Sequence, residues 1–306
     1  MELHLILMFT LCLLFSNKSN GALPEEVYWK SKLPNTPLPK ALQELLQPPG
    51  NISNFAEVEL VMAPTRGKRS TYGTGYWNEE LKTVSSNNIM QNETTIYFLY
   101  NDLHPNKKMK LIFTKSIKGS KFLPRQIAEA IPFSSNKSQE IFDYFSIKPA
   151  SKEAQVINQT IEECEAPNIR GEDKYCATFF ESLVNFVTAK LGSKIRAFSN
   201  EVEEENKKEE YTILKGIKMI GDKQIVCHKE RYKYAVYYCH AINATKAYMV
   251  PLVANNGSKA KAIVVCHSDT SAWNPKHFAF QVINVKPGGP PICHFLNTDT
   301  IVWVPM

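Results

Sequence analysis

The chain has 306 residues, 36 Lys and Arg against 30 Asp and Glu, and a formal net charge of +6. A chain of this length can bury a sizeable core. Its basic residues are scattered rather than interleaved with aromatic residues in a stripe, which excludes the usual pattern of a nucleic-acid binder and leaves at most a mild attraction to acidic polymers.

The N-terminus has the pattern of a secretory signal. The apolar run "LHLILMFTLCLLF" is short for a bilayer span, and the small residues Ser19 and Gly21 follow it. We therefore predict a signal peptide over residues 1–21 and entry into the secretory pathway. No later stretch approaches transmembrane length, so no membrane span is expected after cleavage.

The next two segments differ from a folded domain in composition. Residues 22–49 contain six prolines around the short helical candidate "KALQELL", which predicts a segment that is extended and either docked or mobile. Residues 50–94 are rich in Asn, Ser, Thr and Gly without sustained periodicity, as in a variable linker.

From residue 95 onwards the chain has the periodicity of regular elements. The stretches "TIYFLYNDLHP" and "KMKLIF" predict two strands joined by a turn, and Pro124 begins a short helix. An apolar face predicts a longer helix from about Asp173 to Leu191, stopped by Gly192 and carrying Cys176. Strands are then predicted at "YTILKGIKMI", "KQIVCH", "YAVYYCH", "AYMVPLV", "KAIVVCH", "FAFQVINV" and "DTIVWVP".

These elements indicate an α+β fold. Residues 95–306 are expected to form an antiparallel-rich β-sheet domain with helices from its first half, preceded by a flexible N-terminal extension.

The cysteines indicate an oxidising compartment. Cys12 would leave with the signal peptide, and an even number remains, which in a secreted chain suggests three disulfides. Cys164 and Cys176, twelve residues apart, are natural partners, while the full connectivity stays open. The candidate disulfide cysteines are Cys164, Cys176, Cys227, Cys239, Cys266 and Cys293.

Asn-x-Ser/Thr triplets agree with passage through the secretory pathway, although only some of them are expected to be used. The candidate glycosylation sites are Asn51, Asn92, Asn136, Asn158, Asn243 and Asn256.

Four strand-like runs contain a Cys-His dipeptide. On a regular strand successive side chains point to opposite faces, so a Cys and the adjacent His cannot both reach one centre. We expect the sulfurs to form two disulfides on one side and the imidazoles to gather on the other. The four histidines are His228, His240, His267 and His294.

Gathered neutral imidazoles without thiolate suit Cu(II), which persists in an oxidising lumen. His104 and His277 are additional candidate ligands. A zinc site built from Cys and His is the rival, which secretion disfavours, and disulfides followed by ordinary hydrogen-bonded histidines are the structural alternative.

The Cys-His spacing, with gaps of 10, 25 and 25 residues, resembles that of the plant BURP domain. The stretches "YWKSKLPNTPLPKAL", "YNDLHP", "FLPRQIAEAIPFSS", "CHSDTSAWNPKHFAF" and "CHFLNTDTIVWVP" are also similar to that family. The chain departs from the family where Tyr97-Phe98 replaces Phe-Phe and where Asn106 stands in place of a common Gly.

The resemblance implies two functions. Some BURP proteins use copper to join an aromatic side chain to a carbon within a core segment of their own chain, whereas others are non-catalytic proteins of seed vacuoles or the cell wall, involved in development or stress response. Copper and molecular oxygen are the cofactors implied by the first. The partner would be the core segment or a wall polymer, and the location the apoplast or the vacuole.

One stretch, "STYGTGYW" at residues 70–77, is the candidate core. It is similar to a family core that reads Gln-Pro-Tyr-Gly-Val-Gly-Ser-Trp, but it lacks the leading Gln-Pro and occurs once. Gly73 or Gly75 would supply an unshielded α-carbon and Trp77 the aromatic partner, so that the segment is self-substrate. A docking patch in the linker is the alternative interpretation.

Overall fold

The computed structural model describes residues 24–46, 94–115 and 119–306. The predicted signal peptide, most of the linker and the candidate core 70–77 lie outside these ranges. Among the described residues no helix is both long and apolar enough to cross a membrane.

The helices come mainly from the first two thirds of the described chain. They are α1 (Pro24–Lys32), α2 (Lys40–Gln43), α3 (Arg125–Ala130), α4 (Ser138–Tyr144), α5 (Lys152–Glu165), α6 (Phe180–Leu191) and α7 (Phe278–Val282).

The strands lie mostly in the second half of the chain. They are β1 (Phe98–Leu99), β2 (Lys108–Ile112), β3 (Glu172–Ala177), β4 (Ile195–Phe198), β5 (Glu201–Val202), β6 (Lys208–Ile213), β7 (Lys218–Gly221), β8 (Ile225–Lys229), β9 (Tyr237–Ile242), β10 (Thr245–Ala254), β11 (Lys259–His267), β12 (Ile292–Phe295) and β13 (Ile301–Pro305).

Within the described ranges the strands form two antiparallel sheets. The first has eight strands, with the path β1-β12-β11-β10-β6-β2 and with β5 and β7 attached to β11 and β10. The second has five, in the order β3-β9-β8-β13-β4. The two sheets pack face to face through an apolar layer that includes Val226 and Val302 from one sheet and Ile263 and Val265 from the other. The predicted α+β, antiparallel-rich fold is confirmed.

The N-terminal segment is docked on the domain. Trp29 of α1 is 2% exposed and packs on Phe180 and Trp303, with ring centroids 6.1 and 5.6 Å away. The Trp29 indole N–H donates to the carbonyl of Thr36, and the Thr36 hydroxyl donates to the carbonyl of Ile195. Of the two states predicted for this segment, the docked one is therefore observed, with helices in place of an extended chain.

The helix predicted from Asp173 begins later than expected. Its first part is strand β3, which pairs with β9 so that Tyr175 lies opposite Cys239. The helix starts at Phe180 and ends before Gly192, whose φ of 78° suits glycine. The prediction that Cys176 is helical was wrong, because strand pairing with β9 outweighs the local helical periodicity.

The predicted strand "FAFQVINV" is also wrong, because residues Phe278–Val282 form α7. The ring of His277 caps this helix, and Phe278 and Phe280 are buried in a small satellite core. A run of buried apolar residues this short does not distinguish a strand from a buried helix.

The first two predicted strands exist but do not pair with each other. Strand β1 pairs with β12, and β2 pairs with β6. Helix α5, which carries Cys164, was not predicted.

Candidate metal centre

The Cys-His dipeptides lie on two pairs of neighbouring antiparallel strands. Cys227 on β8 lies directly opposite Cys239 on β9, and Cys266 on β11 lies directly opposite Cys293 on β12. The corresponding Cα–Cα distances are 3.9 and 4.1 Å, so each pair can be bridged across its ladder.

All six remaining cysteines are disulfide-bonded, as predicted. Besides the two cross-strand disulfides, Cys164 of α5 is joined to Cys176 of β3. Cys227 and Cys239 belong to the core beneath α6, whereas Cys266 and Cys293 belong to the core on the outer face of the larger sheet. The sulfurs thus lie on the outer faces of the two sheets.

The adjacent histidines point the other way, into the space between the sheets. His240 lies opposite Val226 and His294 lies opposite Val265, and both valines belong to the apolar layer between the sheets. His228 lies two residues after Val226 on β8 and therefore points to the same face as His240, and His267 lies two residues after Val265 on β11 and points to the same face as His294. Each sheet thus contributes one diagonal histidine pair.

The histidines of each pair are close to one another. In the smaller sheet Nε2 of His228 lies 3.3 Å from Nε2 of His240. In the larger sheet the rings of His267 and His294 stack with centroids 5.7 Å apart. All four side chains are buried, with residue exposures of 2 to 4%.

His240 is held by a buried carboxylate. Its Nδ1 lies 3.0 Å from Oε1 of Glu172, which also accepts a 2.9 Å hydrogen bond from the Tyr238 hydroxyl. Burial raises the pKa of Glu172, but hydrogen bonds from His240, Tyr238 and the Ile169 N–H bring it below its usual value. Because an ionised carboxylate only accepts, Nδ1–H of His240 donates this hydrogen bond, and in the neutral form of the ring Nε2 carries the lone pair.

His267 is oriented by Thr245. The Thr245 hydroxyl lies 2.9 Å from Nδ1 of His267 and can donate to the carbonyl of Asn243 at 3.4 Å. If the hydroxyl donates there, it accepts from Nδ1–H of His267. Nε2 of His267 then presents a lone pair, and within the described residues this atom is buried with no hydrogen-bond partner.

A small cavity lies between the two sheets, next to His240 and His267. It has a volume of about 10 Å³, and both His240 and His267 line it, together with Gln224 and Thr245. The Gln224 amide N–H donates to the Thr245 carbonyl at 3.0 Å, while its Oε1 is buried with no partner in the ranges that the structure covers. An unpaired imidazole nitrogen and an unpaired amide oxygen therefore border one void.

His294 repeats the arrangement, with Nδ1 placed 3.2 Å from the carbonyl of Phe295, so that Nδ1 is the protonated nitrogen. Burial lowers the pKa of His294 to about 4, although the Phe295 carbonyl opposes this, and burial lowers that of His267 well below its usual value. Both rings are therefore neutral near pH 7, and the neutral imidazole is the form that binds metals.

His277 has the opposite tautomer. Its Nδ1 accepts a 3.2 Å hydrogen bond from the backbone N–H of Ala279, so a neutral ring carries its proton on Nε2. This ring caps α7 and presents a donor rather than a lone pair, which argues against its predicted role as an additional ligand.

His104 lies apart from the cluster. It is exposed, and its Nδ1 lies 2.9 Å from the carbonyl of Pro105. Within the described residues no ring contact or hydrogen bond joins it to the other histidines.

Two aromatic rings border the imidazoles. Trp273 lies 4.9 Å from the ring of His267 and 4.7 Å from that of His277, and Tyr97 lies 5.5 Å from the ring of His294. Sequence reasoning did not single out Glu172, Thr245 or Gln224, and it gave no site role to Trp273 or to Tyr97, which it noted only as a departure from the family pattern. The quoted stretches "CHSDTSAWNPKHFAF" and "TIYFLYNDLHP" contain Trp273 and Tyr97, but Glu172, Thr245 and Gln224 have no local signal.

No group of three or more His, Cys, Asp or Glu side chains in residues 24–46, 94–115 and 119–306 is arranged to hold a metal ion. The chemistry of the donors nevertheless fits copper. The pair His228–His240 brings two ring nitrogens together, His267 adds an unpaired nitrogen across the cavity, and the disulfides remove thiolates from competition.

A larger cleft, of about 1140 Å³, lies elsewhere on the domain and is lined by none of these histidines. Its charged groups include an ion pair between Lys115 and Glu44 at 2.8 Å. Burial lowers the pKa of Lys229 to about 8, and Asp299 opposes this change.

The other predicted sites are only partly described. Trp77, Gly73, Gly75, Asn51 and Asn92 lie outside the described residues. Of the remaining glycosylation candidates, Asn136, Asn243 and Asn256 are exposed, whereas Asn158 is half-buried in α5 and accepts a 2.7 Å hydrogen bond from Ser138.

The comparisons with known proteins agree with the resemblance to the BURP domain. The family model described as "BURP domain" matches residues 96–305. BURP domain-containing protein 5 of Oryza sativa subsp. japonica is 40% identical, over 93% of this chain and 88% of its own length.

Two further relatives match a shorter region more closely. BURP domain-containing protein 3 of Oryza sativa subsp. japonica is 50% identical over 68% of this chain. BURP domain protein RD22 of Arabidopsis thaliana is 47% identical over 68% of this chain. The alignments span only 50% and 55% of these two relatives' own lengths.

Proposed function

Since this chain belongs to the BURP domain family of plants, we propose that it is a secreted copper protein that oxidatively closes a ring within its own segment 70–77. The proposal is carried by one observation. The sulfurs of the four Cys-His dipeptides are locked in disulfides on the outer faces of the sheets. The imidazoles form one close pair in each sheet on the inner faces, and His240 and His267 line the same cavity.

Four side chains would hold the copper ion: His228, His240, His267 and His294. Nδ1–H of His240 donates to Glu172 and Nδ1–H of His294 donates to the Phe295 carbonyl, and Nδ1–H of His267 can donate to Thr245. With these hydrogen bonds, Nε2 of each ring would be the atom that binds copper. An all-imidazole set favours copper over the other divalent first-row metals. Copper bound there would pass single electrons between the segment and molecular oxygen.

The reaction would join an α-carbon of Gly73 or Gly75 to the indole of Trp77. One C–H bond of the glycine and one N–H or C–H bond of the indole are lost, and one bond forms between the two groups. The two electrons and two protons that leave the segment reduce molecular oxygen to hydrogen peroxide. Because the segment is part of the same chain, the reaction is intramolecular and gains from proximity.

The same chemistry supports a proposal for the compartment. Disulfides and Cu(II) both persist in the secretory pathway, the apoplast and the vacuole, and not in a reducing cytosol. We place the mature protein in one of these compartments, with its own core segment or a wall polymer as partner.

The test uses the purified mature chain with Cu(II) and air. After digestion, the peptide that contains residues 70–77 should weigh about two hydrogens less than its sequence. Trp77→Ala and, separately, His240→Ala should abolish the loss, while Thr83→Ala in the same linker should not. An unchanged peptide mass in a chain that has bound copper would overturn the cyclase proposal.

The burial of the imidazoles favours a second candidate function. None of the four is more than 4% exposed, so the described conformation gives a substrate no direct access to them. A non-catalytic wall or vacuolar protein that binds copper as a structural or stored ion would show this burial.

Such a protein should melt at a higher temperature with Cu(II) than without it, because an ion that binds only the folded state stabilises it. Identical melting would remove copper from both proposals.

A further inference from the structure

A surface pocket of about 130 Å³ lies beside the histidine cluster. We call it the Trp273 pocket. Its walls include Ile169, Ile242, Ala272 and Trp273, and Arg170 and Asp269 contribute polar groups. The pocket combines an apolar interior with a few polar groups, which is the usual composition of a small ligand site.

Two side chains separate this pocket from the imidazoles. Trp273 lines the pocket, and its ring lies 4.9 Å from that of His267. Ile242 lines both the pocket and the small cavity that His240 and His267 share. A group bound in the Trp273 pocket is therefore one layer of side chains away from the proposed copper ligands.

We propose that the Trp273 pocket binds the aromatic side chain of Trp77 from the chain's own segment 70–77. This inference rests on the proposed function and names the place where the reacting ring is held before it is oxidised.

The size of the pocket admits one ring of an indole, while the second ring would lie at the opening. An apolar cavity of about 150 Å³ binds benzene, and the Trp273 pocket has about 130 Å³ and opens to the surface. Trp273, which is 3% exposed, contributes aromatic surface to the wall of the pocket, and an indole can pack against such a ring. The exposed Arg170 and Asp269 can bond to the peptide groups on either side of the bound ring.

The chain connects this segment to the cluster. Tyr97, whose ring lies 5.5 Å from that of His294, is three residues after Thr94, the last residue of the linker and the first one that the structure describes there. Trp77 precedes Thr94 by 17 residues (94 − 77), which can span up to about 60 Å when extended. The pocket is within that reach, and the tether raises the effective concentration of the ring.

The experiment places the photo-crosslinker p-benzoylphenylalanine at position 77 of the metal-free full chain. The chain is secreted from a host that forms disulfides but adds no glycans, because Asn243 at the pocket belongs to a candidate glycosylation triplet. After irradiation and digestion, mass spectrometry should find the crosslinks in peptides that contain residues 169–171, 242–244 or 269–273.

Two matched chains complete the design. The crosslinker at Asn88, in the same linker, should give few crosslinks to these peptides. Ala272→Phe fills the half-buried wall of the pocket and should lower the position-77 crosslinks about fivefold or more. Circular dichroism and melting show whether this variant folds, and Asp269→Leu at the exposed rim provides a second variant that should lower the crosslinks without altering the core.

The outcomes separate this inference from the proposed function. Crosslinks from position 77 that fall elsewhere, or that persist in both folded pocket variants, overturn the pocket assignment whether or not copper binds. Crosslinks in the pocket together with an unchanged peptide mass under Cu(II) and air support the pocket and overturn the cyclase.

Discussion

Glu172 and His240 form a buried pair in which Oε1 of the carboxylate lies 3.0 Å from Nδ1 of the imidazole, and each side chain is 5% exposed. Glu172 opens β3, and His240 lies near the end of the neighbouring strand β9. A carboxylate behind a metal-binding histidine fixes the tautomer of the ring and makes its other nitrogen more basic.

We expect Glu172→Gln to weaken Cu(II) binding by about 10- to 100-fold, because the amide keeps the size of the side chain but removes its charge. Competition titration with a copper chelator measures the affinity, and electron paramagnetic resonance reports the ligand field. The altered spectrum separates a change at the metal from a general loss of stability.

Asp173→Asn is the matched control for this variant. Asp173 is the next residue along β3, and it pairs at the surface with Lys190 instead of with a histidine. Its substitution should leave both affinity and spectrum unchanged. Equal copper affinities for the wild type and Glu172→Gln would show that the carboxylate does not orient a ligand.

His277 should make the metal-free protein sensitive to acid. Burial, with a smaller contribution from the charge of His294, lowers the pKa of His277 from 6.5 to about 4. Between pH 6.5 and 4 the unfolded chain binds a proton that the folded chain does not, so stability is lost as the pH falls through this range. At pH 5 the loss amounts to about 2 kcal/mol for this one group.

His277→Asn should remove that contribution. Asn is a good residue at a helix N-cap and can accept the N–H of Ala279 in place of the imidazole. Urea unfolding at pH 7 and pH 5, with chelator present, should show that the free energy of unfolding falls less between these two pH values for the variant than for the wild type. His294 and His267 act in the same direction in both chains, so only the difference between chains is diagnostic. Equal losses would contradict the prediction.

Trp29 tests whether the N-terminal segment is part of the fold. The ring is buried against Phe180 and Trp303, so Trp29→Ala should lower the free energy of unfolding by about 3–5 kcal/mol. Val27, on the same helix, is 55% exposed, and Val27→Ala should change it by no more than about 0.5 kcal/mol. Chemical denaturation of both variants decides whether α1 belongs to the cooperative unit.

The disulfide between Cys164 and Cys176 should be structural only. It closes a loop with a sequence separation of 12, and replacing both cysteines by Ala should cost about 3 kcal/mol of stability. Neither cysteine precedes a histidine, so Cu(II) affinity should remain that of the wild type. A loss of copper binding in the folded variant would tie this disulfide to the metal centre.

Several features of the fold could be predicted because they depend on neighbours in the sequence. The alternation of side chains along a strand separates Cys227 from His228 whatever the rest of the chain does. The predicted turns and β-rich runs gave most strands of the second half. The helix over 173–179 and the strand over 278–285 were mispredicted, because pairing with β9 in one case and burial in a satellite core in the other decided these short segments.

The sequence by itself determined that sulfur and nitrogen leave each strand on opposite faces, that the cysteines pair, and that the chain is an antiparallel-rich α+β protein. Only the tertiary structure decided that one histidine pair comes from each sheet and that the two pairs face each other. It also brought Glu172, Thr245 and Trp273 to them. These contacts join residues that are far apart in the sequence, and they form only when the two sheets pack together. A local sequence pattern carries no information about such packing.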